Sequence, residues 1–369
     1  MRCKQDKSMK KTQPLVLPVI LLLLAQNLFG QSPVLDKFID SYVKVNNFNG
    51  TILIQKNKQI AYQKSFGFAN LPFKVPNTIE TKYKVASITK ALTAVLILQL
   101  FEQGKLDLNK TIRTYLPDYK GEAADKVTVH QLLNHTSGMT NIDRVPSLEY
   151  VVKNGFPLYQ MPHTSDQILE EYCSDKLVNE PGKVFDYNNA DYIILGKIIE
   201  RLNGKTYEQV LNEKLLQPLN MRDSGMVHQP DITPNLADTY FYRDNSKVLT
   251  NDLPFYTENL YAAGGMYSTA PDILKFSDAL FEHKLLKKET LDRMFTAGLD
   301  DYGYGVWVYN DYDINGKRFK VFKRPGSNMG AQSMLFHILE ADATIIILTN
   351  TGTTSLDVFA AEIVKRAMK

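Results

Sequence analysis

Apolar residues recur with different spacings along the first hundred positions of the chain. Between residues 33 and 45 they recur every three or four positions, which predicts an amphipathic helix. The runs 50–55 and 60–67 are strand-like and flank a short polar segment, so they predict a β-hairpin. Residues 87–102 are apolar on almost every face, which is typical of a helix buried in the middle of a fold.

The rest of the chain changes character near residue 264. The part before it has the spacing of helices with long loops, and one of these helices ends at Asn203-Gly204. The part after it predicts strands and a closing helix that begins near Ser355. The predicted strands are 304–309, 318–323, 332–338 and 343–349.

Strands near both ends of the chain predict an α/β (α+β) fold with one antiparallel sheet built from both chain ends. We expect helices to flank this sheet and a mostly helical subdomain to be inserted between its strands. Residues 31–369 would form a single domain. Its sheet part would cover about 31–86 and 265–369, and its helical part about 87–264.

The first thirty residues predict a secretory signal peptide. Five basic residues precede or border a short apolar stretch, 15–25, that is too short for a comfortable membrane span. A retained anchor is the alternative, and both Met1 and Met9 can serve as the start. We expect a periplasmic or secreted bacterial protein with no stable membrane insertion after cleavage, and the cleavage site stays open.

Composition excludes several classes of partner. The chain carries a net charge of +3, but residues 1–30 carry +4, which leaves about −1 on the remainder. The sequence has no basic stripe with interleaved aromatic residues, so we expect no nucleic-acid partner. Cys173 is the only cysteine left after signal removal, so we expect no internal disulfide. The six histidines lack the spacing of metal ligands, so we expect no metal.

Ser87 and Lys90 are the first candidate catalytic pair. Three positions apart on a helix, their side chains share a face, so the amine can reach the hydroxyl. A lysine with a lowered pKa in a buried, electropositive site can remove the serine proton. The same pattern occurs at 8–11 and 41–44, but only Ser87 opens a buried helix just after a hairpin.

Two later segments supply further candidates. Tyr187-Asn188-Asn189 is the only Tyr-x-Asn in a chain with 20 tyrosines, and it offers a proton-exchanging phenol and a substrate-binding amide. Arg324-Pro325-Gly326-Ser327 follows a strand-like run and, on an edge strand, can present positive charge and backbone N–H groups to an anionic transition state. The structural alternatives are a buried tyrosine with a turn asparagine, and a plain strand turn.

In this order the three segments resemble the Ser-x-x-Lys, Tyr-x-Asn and Lys/His-x-Gly motifs of the penicillin-recognising serine enzymes. The sequence resembles the family of class C β-lactamases, D-Ala-D-Ala carboxypeptidases and esterases over about residues 35–369. This implies a β-lactamase/transpeptidase-like fold and hydrolysis through an acyl-enzyme, without a cofactor. Further similar stretches are 100–108, 128–139 (with Leu-Leu-x-His-Thr-Ser-Gly), 218–221 and 263–269.

The resemblance also implies roles for individual residues. Ser87 would be the acylated nucleophile, Lys90 its proton acceptor and Tyr187 the general acid/base. Asn189 would contact the substrate or Lys90.

In the third motif, Arg324 would stand where the family has Lys or His. The backbone N–H groups of Ser87 and Ser327, the latter next to Gly326, would form the oxyanion hole. The substrate would be a small molecule or a peptide, and the oligomeric state stays unknown.

The third motif departs from the family pattern of Lys or His, then Thr or Ser, then Gly. Pro325 lacks the hydroxyl that usually meets the substrate carboxylate, and it also lacks a backbone N–H. The planar guanidinium of Arg324 is not interchangeable with a lysine amine. We therefore expect an esterase or peptidase whose substrate has an end group other than this carboxylate. The register of the third motif stays open, because Lys323 is adjacent to Arg324.

Two other functions stay open. One is a D-Ala-D-Ala carboxypeptidase or β-lactamase acting on peptidoglycan-like substrates. The other is a non-catalytic penicillin-binding-like domain, which the altered third motif alone supports. His135 and Ser137 suggest a Ser-His-Asp triad, but the chain has no Gly-x-Ser-x-Gly, so we expect His135 to brace a turn.

Overall fold

The computed structural model describes residues 33–244 and 247–368. The predicted signal peptide and both candidate start residues therefore lie outside the described residues. The helices are α1 (Pro33–Asn46), α2 (Thr89–Glu102), α3 (Ile112–Tyr115), α4 (Val129–Leu133), α5 (Leu148–Asn154), α6 (Pro157–Gln160), α7 (Ser165–Glu171), α8 (Asn189–Asn203), α9 (Tyr207–Leu211), α10 (Tyr261–Gly264), α11 (Ala270–Phe281), α12 (Lys288–Met294) and α13 (Leu356–Ala367). The strands are β1 (Gly50–Lys56), β2 (Gln59–Phe66), β3 (Phe68–Asn70), β4 (Val75–Pro76), β5 (Tyr83–Lys84), β6 (Gly225–Met226), β7 (Tyr240–Tyr242), β8 (Leu249–Asn251), β9 (Met266–Ser268), β10 (Trp307–Ile314), β11 (Lys317–Asn328), β12 (Ala331–Ile338) and β13 (Ala343–Thr349).

Six of these strands form one antiparallel sheet in the order β10-β11-β12-β13-β1-β2. At its centre β1, from the start of the chain, pairs along its whole length with β13, from the end, so that Ile52 lies opposite Ile347. Every residue of β13 is buried, as expected for a central strand covered on both faces. The prediction of a mixed fold with a sheet built from both chain ends is confirmed.

Helices cover both faces of this sheet. Successive residues of a strand point to opposite faces, so Ile52 joins one apolar core and Leu53 the other. The first core is closed by α1 and α13, which contribute Ile39 and Phe359. The second core is much larger and contains α2, whose residues Thr89–Leu98 are all buried. The buried position predicted for this helix is therefore correct.

The part of the chain between β5 and β9 contains α2 to α10. It also contains the short strands β6, β7 and β8, which the sequence did not predict. Strand β6 pairs with β9, and β7 pairs with β8. Among the helices of the described ranges, none has the length and apolarity needed to cross a membrane.

Two boundaries near the predicted site differ from the prediction. Helix α2 begins at Thr89, because Ala86–Ile88 forms a separate 3-10 turn. Strand β10 begins at Trp307, because Gly305 has a φ of 76° and turns the chain against α2. An added Cβ at Gly305 would lie 2.9 Å from the carbonyl oxygen of Lys90, so this close approach requires glycine.

Strand β11 is longer than predicted and continues to Asn328. Strand β12 pairs with it as far as that residue, whereas β10 pairs with it only up to Lys323. The third motif therefore lies on the second strand of the sheet, not on an edge strand as expected. Beyond Lys323 β10 no longer pairs with β11, so one side of β11 forms a local edge there. Pro325, which has no N–H to donate, is tolerated at this edge.

Candidate active site

Ser87 lies in a strained turn between β5 and α2. Ala86, just before it, has a φ of 45°, in the left-handed region that residues other than glycine rarely adopt. The side chains of Thr89, Ser333 and Arg324 donate hydrogen bonds to three consecutive carbonyl oxygens of this turn, at 2.6 to 2.7 Å. These bonds fix the turn and hold the Ser87 hydroxyl beside Lys90.

The side chain of Lys90 is fully buried. Its Nζ donates to Asn189 Oδ1 at 2.5 Å, to the Ala263 carbonyl oxygen at 2.8 Å and to Ser87 Oγ at 3.2 Å. Burial, together with the nearby charge of Arg324, lowers the pKa of this amine. A neutral amine can keep two of the donated bonds and turn its lone pair towards the Ser87 proton, as a general base requires.

Tyr187 completes the cluster around Ser87. Lys90 Nζ lies 4.8 Å from the centroid of its ring, and its hydroxyl accepts a hydrogen bond from Arg324. Burial alone would raise the pKa of the phenol, but the charges of Arg324 and Lys90 outweigh burial and lower the pKa. Trp307 stacks on the ring with 5.7 Å between centroids, so the Tyr187 side chain is held in place.

The guanidinium of Arg324 is enclosed rather than presented to solvent. Its side chain is 1% exposed, and it donates to the Ser87 carbonyl, to the Tyr302 hydroxyl at 3.0 Å and to the Tyr187 hydroxyl. The rings of Tyr187, Tyr302 and Trp307 surround it at 5.3 to 6.0 Å. Its charge therefore acts on the Tyr187 hydroxyl and the Ser87 carbonyl and is not open to solvent.

The register of the third motif follows from the two neighbouring cations on β11. Adjacent residues of a strand point to opposite faces. Lys323 pairs with Asp357 of α13 at 2.6 Å, whereas Arg324 contacts Ser87 and Tyr187. Arg324 is therefore the cation that belongs to the site.

Strand β11 passes directly beside Ser87 at Gly326. An added Cβ at Gly326 would lie 2.6 Å from the Val85 carbonyl oxygen and 2.9 Å from the backbone nitrogen of Ser87. Only glycine allows the two backbones to approach this closely. Ser327 follows on the same strand, and Ser327 and Ser87 both line one cleft.

Asn189 is the first residue of α8. The side chain of Asn188 caps this helix by accepting a hydrogen bond from the backbone N–H of Ala190 at 3.0 Å, which fixes where the helix starts. The Asn189 carboxamide contacts Lys90 through its oxygen, so the predicted contact with Lys90 is the one that the geometry favours.

Sequence reasoning missed three residues that hold the second motif. Tyr159 accepts a hydrogen bond from Asn189 Nδ2, Asp143 accepts one from the Asn189 backbone, and Asn141 donates to the Tyr187 carbonyl oxygen at 2.9 Å. Asn141 and Asp143 follow directly after the Leu-Leu-x-His-Thr-Ser-Gly stretch. That position is the one sequence signal that could have drawn attention to them.

His135 lies behind Tyr187, with 4.4 Å between the ring centroids. Its Nδ1 and Asp191 Oδ2 are 2.7 Å apart, and both side chains are fully buried. Burial lowers the pKa of the imidazole and raises that of the carboxyl, so burial favours the neutral form of each. This arrangement gives His135 a structural partner and does not form a triad with Ser87.

The site opens into a cleft of about 400 Å³. Ser87 and Tyr187 line one part of it, and the start of α13 lines another, including Asp357. Within the described ranges, Asp357 is the only charged side chain that lines this cleft, and it is 59% exposed. The cleft can therefore hold a small molecule or the end of a longer chain.

Comparison with known proteins agrees with this geometry. The profile of the family described as Beta-lactamase matches residues 35–368. The putative penicillin-binding protein PbpX of Bacillus subtilis (strain 168) is 32% identical over 271 residues, which cover 73% of this chain and 64% of that protein. The teichoic acid D-alanine hydrolase of Staphylococcus aureus is 26% identical over 277 residues, which cover 74% of this chain and 65% of that protein.

The chain spans about two thirds of the length of these two relatives. The crystal structure of a penicillin binding protein from Bacillus halodurans matches with a TM-score of 0.74 and 26% identity, covering 90% of this chain and 99% of that chain. With a family profile that matches nearly every described residue, the chain belongs to the β-lactamase family of serine hydrolases.

Proposed function

We propose that this protein is an exported serine hydrolase that cleaves an ester, amide or peptide bond through an acyl-enzyme on Ser87. The observation that carries the proposal is the buried Lys90 amine, which has Ser87 Oγ as one of three hydrogen-bond partners. Because burial lowers the pKa of this amine and so favours its neutral form, Lys90 is suited to accept the serine proton.

In the first step Ser87 Oγ attacks the substrate carbonyl carbon, and its proton passes to Lys90 Nζ. The backbone N–H groups of Ser87 and Ser327 stabilise the negative charge on the carbonyl oxygen. Tyr187 gives its proton to the leaving alcohol or amine as the scissile bond breaks, and Lys90 restores that proton. Water then attacks the acyl group, loses one proton to the same cluster and releases the acid and free Ser87.

The cleft supports substrates without a carboxylate near the scissile bond. Pro325 offers no hydroxyl to such a group, and the Arg324 guanidinium is enclosed. Lys323 is paired with Asp357 and does not line the cleft, so an anionic end group would find no free cation there. Neutral or cationic end groups therefore fit best, and a relative that is a teichoic acid D-alanine hydrolase makes aminoacyl esters the first natural class to test.

A second candidate is a D-Ala-D-Ala carboxypeptidase or β-lactamase, which the penicillin-binding relatives favour. A non-catalytic penicillin-binding-like domain is the third. Each of the three predicts a different order of rates on a common set of substrates.

The discriminating experiment measures initial hydrolysis rates on a 4-nitrophenyl ester, the same ester with a carboxylate near the leaving group, a chromogenic cephalosporin and a D-Ala-D-Ala peptide. We expect the neutral ester to be fastest and its turnover to vanish in Ser87→Ala. Ser41→Ala is the matched control, because Ser41 has the same spacing to a lysine but lies exposed on α1. A faster β-lactam or D-Ala-D-Ala peptide would favour the second candidate, and no Ser87-dependent turnover would favour the third.

Export is proposed from residues 1–30 alone. Expression in a Gram-negative host, followed by mass measurement of the protein from the periplasm and the medium, tests it. A product lacking about the first thirty residues is expected, whereas a full-length cytoplasmic product would contradict export.

A further inference from the structure

A series of hydrogen bonds leads from Asp143 to Lys90 on the helical side of the site. Tyr159 Oη donates to Asp143 Oδ1 at 2.5 Å, and Asn189 Nδ2 donates to Tyr159 Oη at 3.3 Å. Lys90 Nζ then donates to Asn189 Oδ1 at 2.5 Å. The second oxygen of Asp143 accepts the backbone N–H of Asn189 at 3.3 Å. One carboxylate therefore binds both the phenol and the backbone that flank the Asn189 carboxamide.

These bonds permit only one orientation of the Asn189 carboxamide. Tyr159 uses its single proton for Asp143, so its oxygen is left as an acceptor and requires the NH₂ group of Asn189. A rotated amide would place its oxygen against the Tyr159 oxygen and its NH₂ group against Lys90. Both contacts would be lost, and a buried amine would be left without an acceptor, which is unfavourable.

Tyr159 is fixed independently of its hydroxyl. Its side chain is 3% exposed, and its ring stacks on Phe255 with 4.9 Å between centroids and 17° between planes. Burial, reinforced by the charge of Asp143, raises the pKa of the phenol, so the proton that it donates to Asp143 is retained. A Tyr159→Phe variant would keep this stack and lose only the hydroxyl.

We propose that Tyr159 and Asp143 are positioning residues, which hold the Asn189 carboxamide with its oxygen towards Lys90 and thereby keep the Lys90 amine aligned with Ser87. Neither residue belongs to the three motifs, and neither takes part in proton transfer. The inference rests on the proposed function, because it concerns Lys90 as the base that activates Ser87.

Asp143 also has an electrostatic effect on Lys90. The titratable and charged groups near Lys90 are Tyr187, Tyr192, Arg324 and Asp143, with the His135–Asp191 pair beside Tyr187. The charge of Arg324 lowers the pKa of Lys90, whereas the charge of Asp143 raises it. In Asp143→Asn the pKa of Lys90 should fall, so the acylation rate should begin to increase at a lower pH than in the wild type. Loss of the Arg324 charge should have the opposite effect.

The test measures, across pH, the rate at which a fluorophosphonate phosphonylates Ser87 and the rate at which a 4-nitrophenyl ester acylates it. Tyr159→Phe should acylate about 10- to 100-fold more slowly, with a lower kcat and little change in KM, because a misaligned base reduces the rate of the chemical step. Tyr150→Phe is the matched control, since Tyr150 is 45% exposed on the neighbouring α5, and its rate should equal that of the wild type.

A double-mutant cycle separates positioning from a general structural role. If Tyr159 acts through Asn189, the variant with both Tyr159→Phe and Asn189→Ala should lose no more activity than Asn189→Ala alone. Additive losses, or wild-type rates in Tyr159→Phe and Asp143→Asn, would overturn the inference. A loss in Asp143→Asn that is confined to cationic substrates would also overturn it, because Asp143 would then bind substrate.

Measurements on the wild-type protein distinguish failure of the proposed function from failure of the positioning role. If wild-type protein is not acylated at all, the proposed function fails. If wild-type protein is acylated and the variants behave as the wild type does, only the positioning role fails. Thermal unfolding of each variant shows that the protein compared is folded.

Discussion

Two polar clusters lie close to the Tyr187 ring. One consists of Lys90 with Asn189 and Ser87, and the other is the pair His135 and Asp191. Lys90, His135 and Asp191 are all fully buried, and burial shifts the pKa of each towards its neutral form. Burial and a shifted pKa therefore do not by themselves distinguish a catalytic group from a structural one.

The difference between the clusters is access to the cleft. Lys90 reaches the cleft through Ser87, which lines it, whereas His135 is packed among the rings of Tyr187, Tyr192 and Tyr302. Within the described part of the chain, His135 Nε2 has no hydrogen-bond partner, and His135 is not among the residues that line the cleft. We infer that the first cluster determines rate and that the second determines stability.

The largest effect is expected from Lys90→Ala. This variant should fold but acylate about 10³-fold more slowly, the size expected when a general base is lost. Burst-phase kinetics with a 4-nitrophenyl ester measure the rate. Lys44→Ala is the matched control, because Lys44 has the same spacing to a serine on the exposed face of α1. Acylation of Lys90→Ala at the wild-type rate would contradict the base role.

Substitution of Arg324 is expected to reduce the acylation rate by the next largest factor. Arg324→Lys keeps the charge but cannot bond the Ser87 carbonyl, Tyr302 and Tyr187 together, so we expect about 10²-fold slower acylation. In Arg324→Gln the charge that lowers the pKa of Lys90 is also lost, so the pKa rises and the rate increases only at higher pH. A pH profile of Arg324→Gln that coincides with that of the wild type would show that the charge does not act on Lys90.

Asp191→Ala tests the second cluster. It leaves the imidazole of His135 buried without its partner and opens a cavity, so the free energy of unfolding should fall by about 3 kcal/mol. Acylation by the folded protein should fall less than tenfold. Urea unfolding and the burst-phase assay measure the two quantities. An acylation loss as large as that of Lys90→Ala, without a stability loss, would reverse the comparison between the clusters.

The smallest effect is expected at the open end of the cleft. Asp357 is 59% exposed, so solvent screens its charge, and Asp357→Asn should speed hydrolysis of a carboxylate-bearing ester only about two- to fivefold. The neutral ester should be unaffected. Equal changes in the hydrolysis rates of both esters would show that Asp357 does not repel a negatively charged end group.

The sequence predicted the parts of the molecule that local patterns encode. The periodicity of β13 predicted its bounds, and the spacing of Ser87 and Lys90 predicted that they meet. They do so although Ser87 lies in the 3-10 turn just before α2. The Tyr-x-Asn motif also predicted two residues that contact this pair.

The remaining features depend on contacts between distant parts of the chain. Asp143 lies in a turn and Tyr159 on the short helix α6, and no local spacing indicates that they meet Asn189. The enclosure of Arg324 depends on Tyr302 and Trp307 and on the pairing of β11, which decides the face to which its side chain points. Side-chain direction at such positions follows from tertiary packing and not from local pattern.

The most direct test of the central claim is the intact mass of the protein, without its first thirty residues, after incubation with a fluorophosphonate, measured beside Ser87→Ala. The account predicts one adduct on the wild type and none on Ser87→Ala, which would show an activated serine at Ser87. Well-folded wild type that forms no adduct, or an adduct that persists in Ser87→Ala, would contradict the assignment of Ser87 as the nucleophile.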